Sequence, residues 1–308
     1  MAIGTRSALP IDYHYLRTHA RDDTISDISR PVHSSTMILP TLRENTEQVI
    51  EKFLAEKLRK VGAKGFVLGV SGGVDSAVVL RLCARAVGKK KVLALLMPER
   101  DSPKGDLKDS VELCRLEGVD YRIIDITAPI EGFKKAIRGK IDRESLANIK
   151  ARARMIALYH YANTDWRLVV GTSNKSEILV GYFTKYGDGG ADLEPIGDLY
   201  KTEVWELARK LGIPEKIVKK APSAGLWKGQ TDEGEMGITY RKLDAILLGV
   251  ELGLDEKEIA ERAETSAKEV RRIARTVRMS SHKRKFPPVA KVGFRTPGFD
   301  WREGDEDI

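Results

Sequence analysis

Asp75 is the residue here whose setting most clearly calls for chemistry. It stands in F-V-L-G-V-S-G-G-V-D-S-A, Phe66 to Ala77, between two serines and just after two glycines. The N–H groups of a helix start, the positive end of its dipole and the hydroxyls of Ser71 and Ser76 all suit a phosphate anion. Gly72 and Gly73 let the backbone approach a ligand with no Cβ in the way. A carboxylate beside phosphate is repelled unless a cation lies between them, so Asp75 reads as a Mg²⁺ ligand. The plainer alternative is an Asp that only caps the helix after a glycine turn.

The flanking residues supply the elements that hold this loop. Phe66, Val67, Leu68 and Val70 run on without polar alternation, the mark of a buried strand, and Val78, Val79, Leu82 and Ala86 recur at helical spacing. Lys91–Met97 and Asp120–Ile126 read as further strands, with a helix over Lys104–Glu117 that stops at Gly118. A long helix over Asp142–Ala162 leads to a fourth strand, Arg167–Gly171, which ends in G-T-S-N-K-S-E. The rhythm predicts an α/β fold with a parallel sheet and right-handed crossovers. Ligands of open sheets gather at the carboxyl ends of strands, so the loops at Ser71 and Thr172 are expected to face one crevice.

Around this frame, residues 1–38 show no sustained period and read as a disordered or loosely attached extension. Met37 is a candidate second start, which the intact mass of protein from its native source would test. Leu42–Val61 reads as a helix with Val49, Ile50, Phe53, Leu54, Leu58 and Val61 on one face. Tyr182–Asp192 (Y-F-T-K-Y-G-D-G-G-A-D) is too polar and glycine-rich for core, and Pro222–Glu235 has the composition of a long mobile loop. Glu203–Leu211, Tyr240–Leu252, Asp255–Arg262 and Ser266–Arg278 read as helices, the last two with capping patterns. An irregular tail follows from Phe286.

Composition narrows the class. With 42% hydrophobic and 32% charged residues, 308 residues make a soluble globular chain with ample core. No apolar run reaches the ~18 residues of a membrane span, and the first 30 positions lack a signal-peptide core, so the cytoplasm is the default location. Cys83 and Cys114 sit among apolar residues and read as buried thiols. A formal charge of +8 favours a polyanionic partner, and nucleotides and nucleic acids both qualify.

The loop lacks the lysine of G-x-x-x-x-G-K-[ST]; it looks like the S-G-G-x-D-S pyrophosphate loop of the ATP-pyrophosphatase group. Together with G-T-S-N-K-S-E, F-T-K-Y-G-D-G-G-A-D and S-S-H-K, in order from about Leu42 to Lys285, the chain resembles the NAD synthetase family in its single-domain, ammonia-dependent form. The loop alone is shared with GMP and asparagine synthetases and tRNA-thiolating enzymes; the K-Y-G-D-G-G-A-D segment is far more discriminating.

The resemblance implies a doubly wound parallel sheet of the adenine-nucleotide α-hydrolase-like type, with a helical C-terminal part, over residues 39–285, and a tail over 286–308. It implies that ATP adenylates the nicotinate carboxylate of deamido-NAD⁺, releasing pyrophosphate, and that ammonia then displaces AMP to leave NAD⁺. Carried over by position, Gly69, Val70, Ser71, Gly72, Gly73, Val74, Asp75 and Ser76 hold ATP, joined by Thr172, Lys201 and Ser223. The family commonly has Thr where this chain has Ser223. Asp75 and Glu177 bind Mg²⁺, with Asp75, Ser71 and Ser76 nearest the chemistry. Arg152, Lys185, Asp192, His282 and Lys283 grip deamido-NAD⁺. The resemblance also implies a homodimer, for which the helices from Asp142 and Leu42 are the candidate interface. Nothing here matches a glutamine-hydrolysing domain, so free ammonia or a separate glutaminase partner supplies nitrogen. No residue reads as a general base for the amine step.

Each residue has a bland reading. Arg152 and Lys201 read as solvated helix charges, His282 as a surface histidine and Glu177 as an N-terminal helix charge. tRNA thiolation keeps the loop but wants paired cysteines, which this chain lacks, and GMP synthesis wants a dimerisation domain not visible here. Asp255–Arg278 scans like a helix-turn-helix with a basic second helix, but basic helix faces are usually solvated; neither nucleic acid nor membrane is expected as a partner.

Overall fold

The computed structural model describes residues 37–227 and 229–297, so the extension expected before Met37 lies outside the described residues. Four segments form the strands β1 (Gly65–Gly69), β2 (Val92–Leu96), β3 (Asp120–Ile123) and β4 (Arg167–Val170). All pair in parallel, in the order β3-β2-β1-β4. Val67 lies opposite Leu93 on one side and Val169 on the other. Because side chains alternate along a strand, these three face one helical layer while Phe66, Leu68, Val92, Ala94 and Val170 face the other. Burial on both faces explains why β1 and β2 read as unbroken apolar runs, whereas the edge strand β3 (D-Y-R-I) is largely exposed.

The first layer packs Ile130 of α4 (Thr127–Ala136) and Ala162 of α5 (Arg143–Asp165) against the sheet. The second is built from α1 (Thr46–Val61), α2 (Val74–Val87), α3 (Lys104–Glu117) and α7 (Lys201–Lys210). From β1 the chain steps outward to β2 and β3, then returns to lay β4 on the far side of β1. The direction of winding therefore reverses between β1 and β4, where the loops after both strands part and open a crevice. The short helix α6 (Lys175–Val180) starts there.

A separate cluster forms the helical C-terminal part. Helices α10 (Tyr240–Glu251), α11 (Glu256–Arg262) and α12 (Ala267–Met279) bury Tyr240, Leu243, Ile246, Ile259 and Ile273. Asp255 and Ser266 accept from the amides of Glu258 and Glu269 at 2.9 and 3.2 Å, as the capping patterns predict. Met37, Ile38 and Leu39 pack on this cluster, and the Ile38 amide donates to the Arg262 carbonyl at 3.0 Å. The last residues assigned to the extension therefore belong to the packed body.

Three local expectations change. Helix α1 begins at Thr46, not Leu42, and its buried stripe is Ile50, Leu54 and Leu58, with Val49 and Val61 65% and 52% exposed. Helix α4 is an addition to the elements expected from the sequence, and Ile130 is its one buried side chain. The expected mobile loop at 222–235 ends in a helix, α9 (Asp232–Met236), capped by the Thr231 hydroxyl. Cys83 and Cys114 are free and buried, and burial pushes the Cys114 thiol up to about 12.

Candidate active site

A cavity of about 670 Å³ opens at the carboxyl ends of β1, β2 and β4. On its wall the β1 loop is braced internally: Ser76 Oγ donates to the Gly73 carbonyl at 3.0 Å, and the Ser71 amide donates to Ser76 Oγ at 3.3 Å. Gly73 stands at the N-cap of α2 with no side-chain cap, which leaves the amides of the first turn for a ligand. Gly72 does a different job from the one expected. It does not line the cavity; its φ is +79°, and a Cβ there would sit 2.8 Å from the Asp106 carbonyl. Glycine is required at 72 by the close passage of α3, not by ligand approach.

The β4 loop meets the β1 loop through Asn174, which is fully buried. Its side-chain oxygen accepts from the Glu177 amide at 3.0 Å, and its Nδ2 donates to Asp75 Oδ1 at 3.0 Å. Asp75 and Glu177 are thus brought together, and Lys201 lies between them. Its Nζ is 2.6 Å from Asp75 Oδ2 and 3.3 Å from Glu177 Oε1, with the lysine side chain only 2% exposed. Tyr240 completes the corner, its hydroxyl 3.1 Å from Glu177 Oε1 and 3.2 Å from Asp232 Oδ2. Burial pushes the Glu177 carboxyl up to about 7, against the pull of Lys201, and Asp75 and Asp232 add to the rise. Burial pulls Lys201 down, but Asp75 and Glu177 outweigh it and hold its pKa above the ordinary lysine value.

Among the described residues no three carboxylate, imidazole or thiol side chains gather as a complete metal cage. The Asp75–Glu177 pair nevertheless suits a hard divalent cation of the kind that takes one or two protein carboxylates and fills its shell with water and phosphate oxygens.

The remaining predicted residues divide sharply. Gly69, Val70, Val74, Thr172, Ser223 and Lys283 line the cavity with Ser71, Gly73, Asp75, Ser76, Glu177 and Lys201. Arg152, Lys185, Asp192 and His282 do not. Arg152 donates to the Lys185 carbonyl at 3.2 Å and Lys185 Nζ to the His282 carbonyl at 3.0 Å, so these three form one strip outside the cavity. Asp192 accepts from the Tyr159 hydroxyl at 3.0 Å and the Val169 amide at 2.7 Å. Lys283 is held by the carbonyls of Gly181 and Phe183 at 2.6 and 2.7 Å.

Sequence reasoning missed Asn174, Asp232, Tyr240, Lys220 and Arg154. Only Asn174 left a signal, inside the G-T-S-N run; Lys220 reaches the site from afar, 3.5 Å from the Gly72 carbonyl and paired with Asp106 and Asp109.

The sequence profile of the family described as NAD synthase matches residues 46–287 of this chain. The chain belongs to the NAD synthase family. It is 46% identical over 252 residues to the NH₃-dependent NAD⁺ synthetase of Methanosarcina mazei, a match covering 81% of this chain and 98% of that protein. Over 241 residues it is 48% identical to the enzyme of that name from Thermococcus kodakarensis, covering 78% and 94%. Among solved structures, NMN synthetase from Francisella tularensis aligns with a TM-score of 0.72 and 37% identity, and NH₃-dependent NAD synthetase from Campylobacter jejuni with 0.69 and 35%. Each covers 80% of this chain and 98% of the other. The sheet and its helical layers are the adenine-nucleotide α-hydrolase-like fold of these NAD synthase family enzymes.

Proposed function

We propose that this NAD synthase family member is an ammonia-dependent NAD⁺ synthetase, an enzyme that amidates deamido-NAD⁺ at the expense of ATP. The observation that carries the reading is the corner where the β1 and β4 loops bring Asp75 and Glu177 together on the wall of one cavity. A nicotinate carboxylate attacking the α-phosphorus approaches a polyanion, so catalysis rests on charge neutralisation and positioning.

In this reading the amides of the first α2 turn and the hydroxyls of Ser71 and Ser76 hold the departing pyrophosphate. Asp75 and Glu177 hold Mg²⁺, which when bound neutralises phosphate charge. Lys201 keeps the two carboxylates at a fixed spacing, and Thr172 and Ser223 contact ATP. The carboxylate oxygen bonds to the α-phosphorus as pyrophosphate leaves. Ammonia then attacks the acyl carbon, and AMP departs with that oxygen. Lys283 serves the acceptor inside the cavity; Arg152, Lys185 and His282 serve the part of the dinucleotide that extends beyond it. Asp192, fixed by Tyr159, accepts from a substrate hydroxyl.

A cavity of this size suits one nucleotide-sized ligand, which supports a site completed at its rim by a second subunit. Ile156 of α5, Phe133 of α4 and Ile137 just after it are exposed apolar side chains on the layer containing one expected interface helix. Sedimentation is expected to give a homodimer; a monomer at working concentration contradicts this. Residues 39–285, with Met37 and Ile38 packed on their helical part, form the catalytic domain and 286–308 its tail. No helix among the described residues is long and apolar enough to cross a membrane.

The test is direct. Purified protein with ATP, Mg²⁺, deamido-NAD⁺ and NH₄Cl should yield NAD⁺, AMP and pyrophosphate, and formation of ADP and phosphate would overturn the scheme. Glutamine in place of NH₄Cl should give no turnover without a partner. Offering the mononucleotide acid separates this reaction from the one named for the Francisella tularensis neighbour.

A further inference from the structure

Five cations line the cavity among the described residues: Arg143, Arg154, Lys201, Lys220 and Lys283. Four are already engaged. Lys201 and Lys220 are ion-paired, Lys283 donates to two carbonyls, and Arg143 stacks 4.6 Å from the centre of the Trp227 ring.

Arg154 differs. It is half-buried, and among the described residues no carboxylate is in ion-pair contact with it. Among the same residues its one hydrogen bond runs from Nε to the Met97 carbonyl at 3.2 Å, at the carboxyl end of β2. Glu99 would be its natural partner, but that carboxylate is taken by the buried ammonium of Lys150. Asp188, the other nearby charge, accepts from the Thr184 amide at 2.9 Å. Met97, Met155 and Leu158 line the cavity around it and offer no acceptor side chain.

A guanidinium withdrawn from water is normally satisfied by a carboxylate or phosphate, because leaving its donors unmade is costly. With Nε committed to Met97, the Nη1–Nη2 edge remains, and that edge matches the paired oxygens of an oxyanion. We propose that Arg154 is an oxyanion-binding residue of the cavity, taking two oxygens of one phosphate or carboxylate group of the bound reactants. The choice of reactants rests on the reading given under Proposed function. The two available sources are a phosphate of ATP and the nicotinate carboxylate of the acceptor. Burial pulls the guanidinium below its ordinary pKa, partly offset by Glu99 and Asp188, and an arriving oxyanion relieves that burden.

Binding of three ligands to the full chain, each alone, separates the sources: Mg-ATP, deamido-NAD⁺ and NAD⁺, compared in wild type, Arg154→Lys and Arg154→Met. If Arg154 holds phosphate, both variants weaken Mg-ATP binding by about tenfold or more, the size of a lost bidentate charge-assisted contact. If it holds the carboxylate, the wild-type preference for deamido-NAD⁺ over its amide NAD⁺ collapses toward one in both variants, with Mg-ATP unchanged. Mg-ATP affinity and the acid-to-amide ratio both within twofold of wild type overturn the proposal. Should Arg154→Met melt early, Arg154→Lys carries the comparison, since it keeps the stem and charge while losing the planar fork. A wild type that binds Mg-ATP but not deamido-NAD⁺ overturns the acceptor assignment instead, and the ATP arm still decides the role of Arg154.

Discussion

Around Asp75, every charged group is held by another side chain: Lys201 from α7, Glu177 from α6, Asn174 from the β4 loop and Tyr240 from α10. Along the strip of Arg152, Lys185 and His282, the Arg152 and Lys185 cations donate to main-chain carbonyl oxygens, and Lys185 also lies 5.3 Å from the centre of the Tyr186 ring. The first arrangement has little freedom to move and suits a place where charge shifts during reaction. The second can follow the shape of whatever it meets, and suits binding that is equal in ground and transition states.

That contrast is broken most severely at Asp75. Replacing it with Asn keeps the hydrogen bond from Asn174 but removes the charge, and kcat is expected to fall by about 10²–10³-fold or more, as for other losses of transition-state electrostatics. Circular dichroism should be unchanged; full activity would remove Asp75 from the site. At the other region, Lys185→Ala should raise KM for deamido-NAD⁺ by about tenfold with kcat within about twofold, the signature of lost uniform binding. A fall in kcat with KM unchanged would show that the strip acts in the transition state after all, and would erase the distinction.

The smallest effect comes from Glu194, packed beneath the β4 loop so closely that a Cβ on Gly171 would lie 2.2 Å from its carboxylate. Burial pushes the Glu194 carboxyl up to about 8; the Ser173 amide opposes this, while Glu177 and Asp188 add to it. An unfolded chain gives up this proton near the ordinary glutamate value of 4.5, whereas the fold keeps it until about 8. Stability from this group is therefore complete below the lower value and is lost as pH rises through the upper one. Glu194→Gln should gain on wild type in Tm as pH rises from about 5 to about 8. Parallel melting curves for the two proteins at every pH would remove Glu194 from the account.

The same contrast explains what could be read from sequence. The β1 loop was legible because strand, glycines, serines and Asp75 are contiguous, and Glu177 because it follows the next strand end at short range. Lys201 was legible by family position, but its place between two carboxylates comes from α7 docking across the second layer. Arg152 and Arg154 illustrate the limit. They lie two residues apart on α5, about 200° around a helix, so only one of them turns to the cavity, and it is Arg154. Tyr240 left no signal because its contact with Glu177 spans 63 residues, and Asp232 reaches the corner through the Tyr240 hydroxyl. Helix α4 does carry a period, with Ile130, Phe133 and Ile137 at intervals of three and four, although only Ile130 is buried in the helix.

The central claim is that this cavity joins the acceptor's acid group to the α-phosphorus of ATP. It is tested most directly with deamido-NAD⁺ labelled with ¹⁸O in the nicotinate carboxylate, turned over with ATP, Mg²⁺ and NH₄Cl. One labelled oxygen is predicted to appear in AMP and none in pyrophosphate. Label in inorganic phosphate, or AMP formed without label, would contradict it.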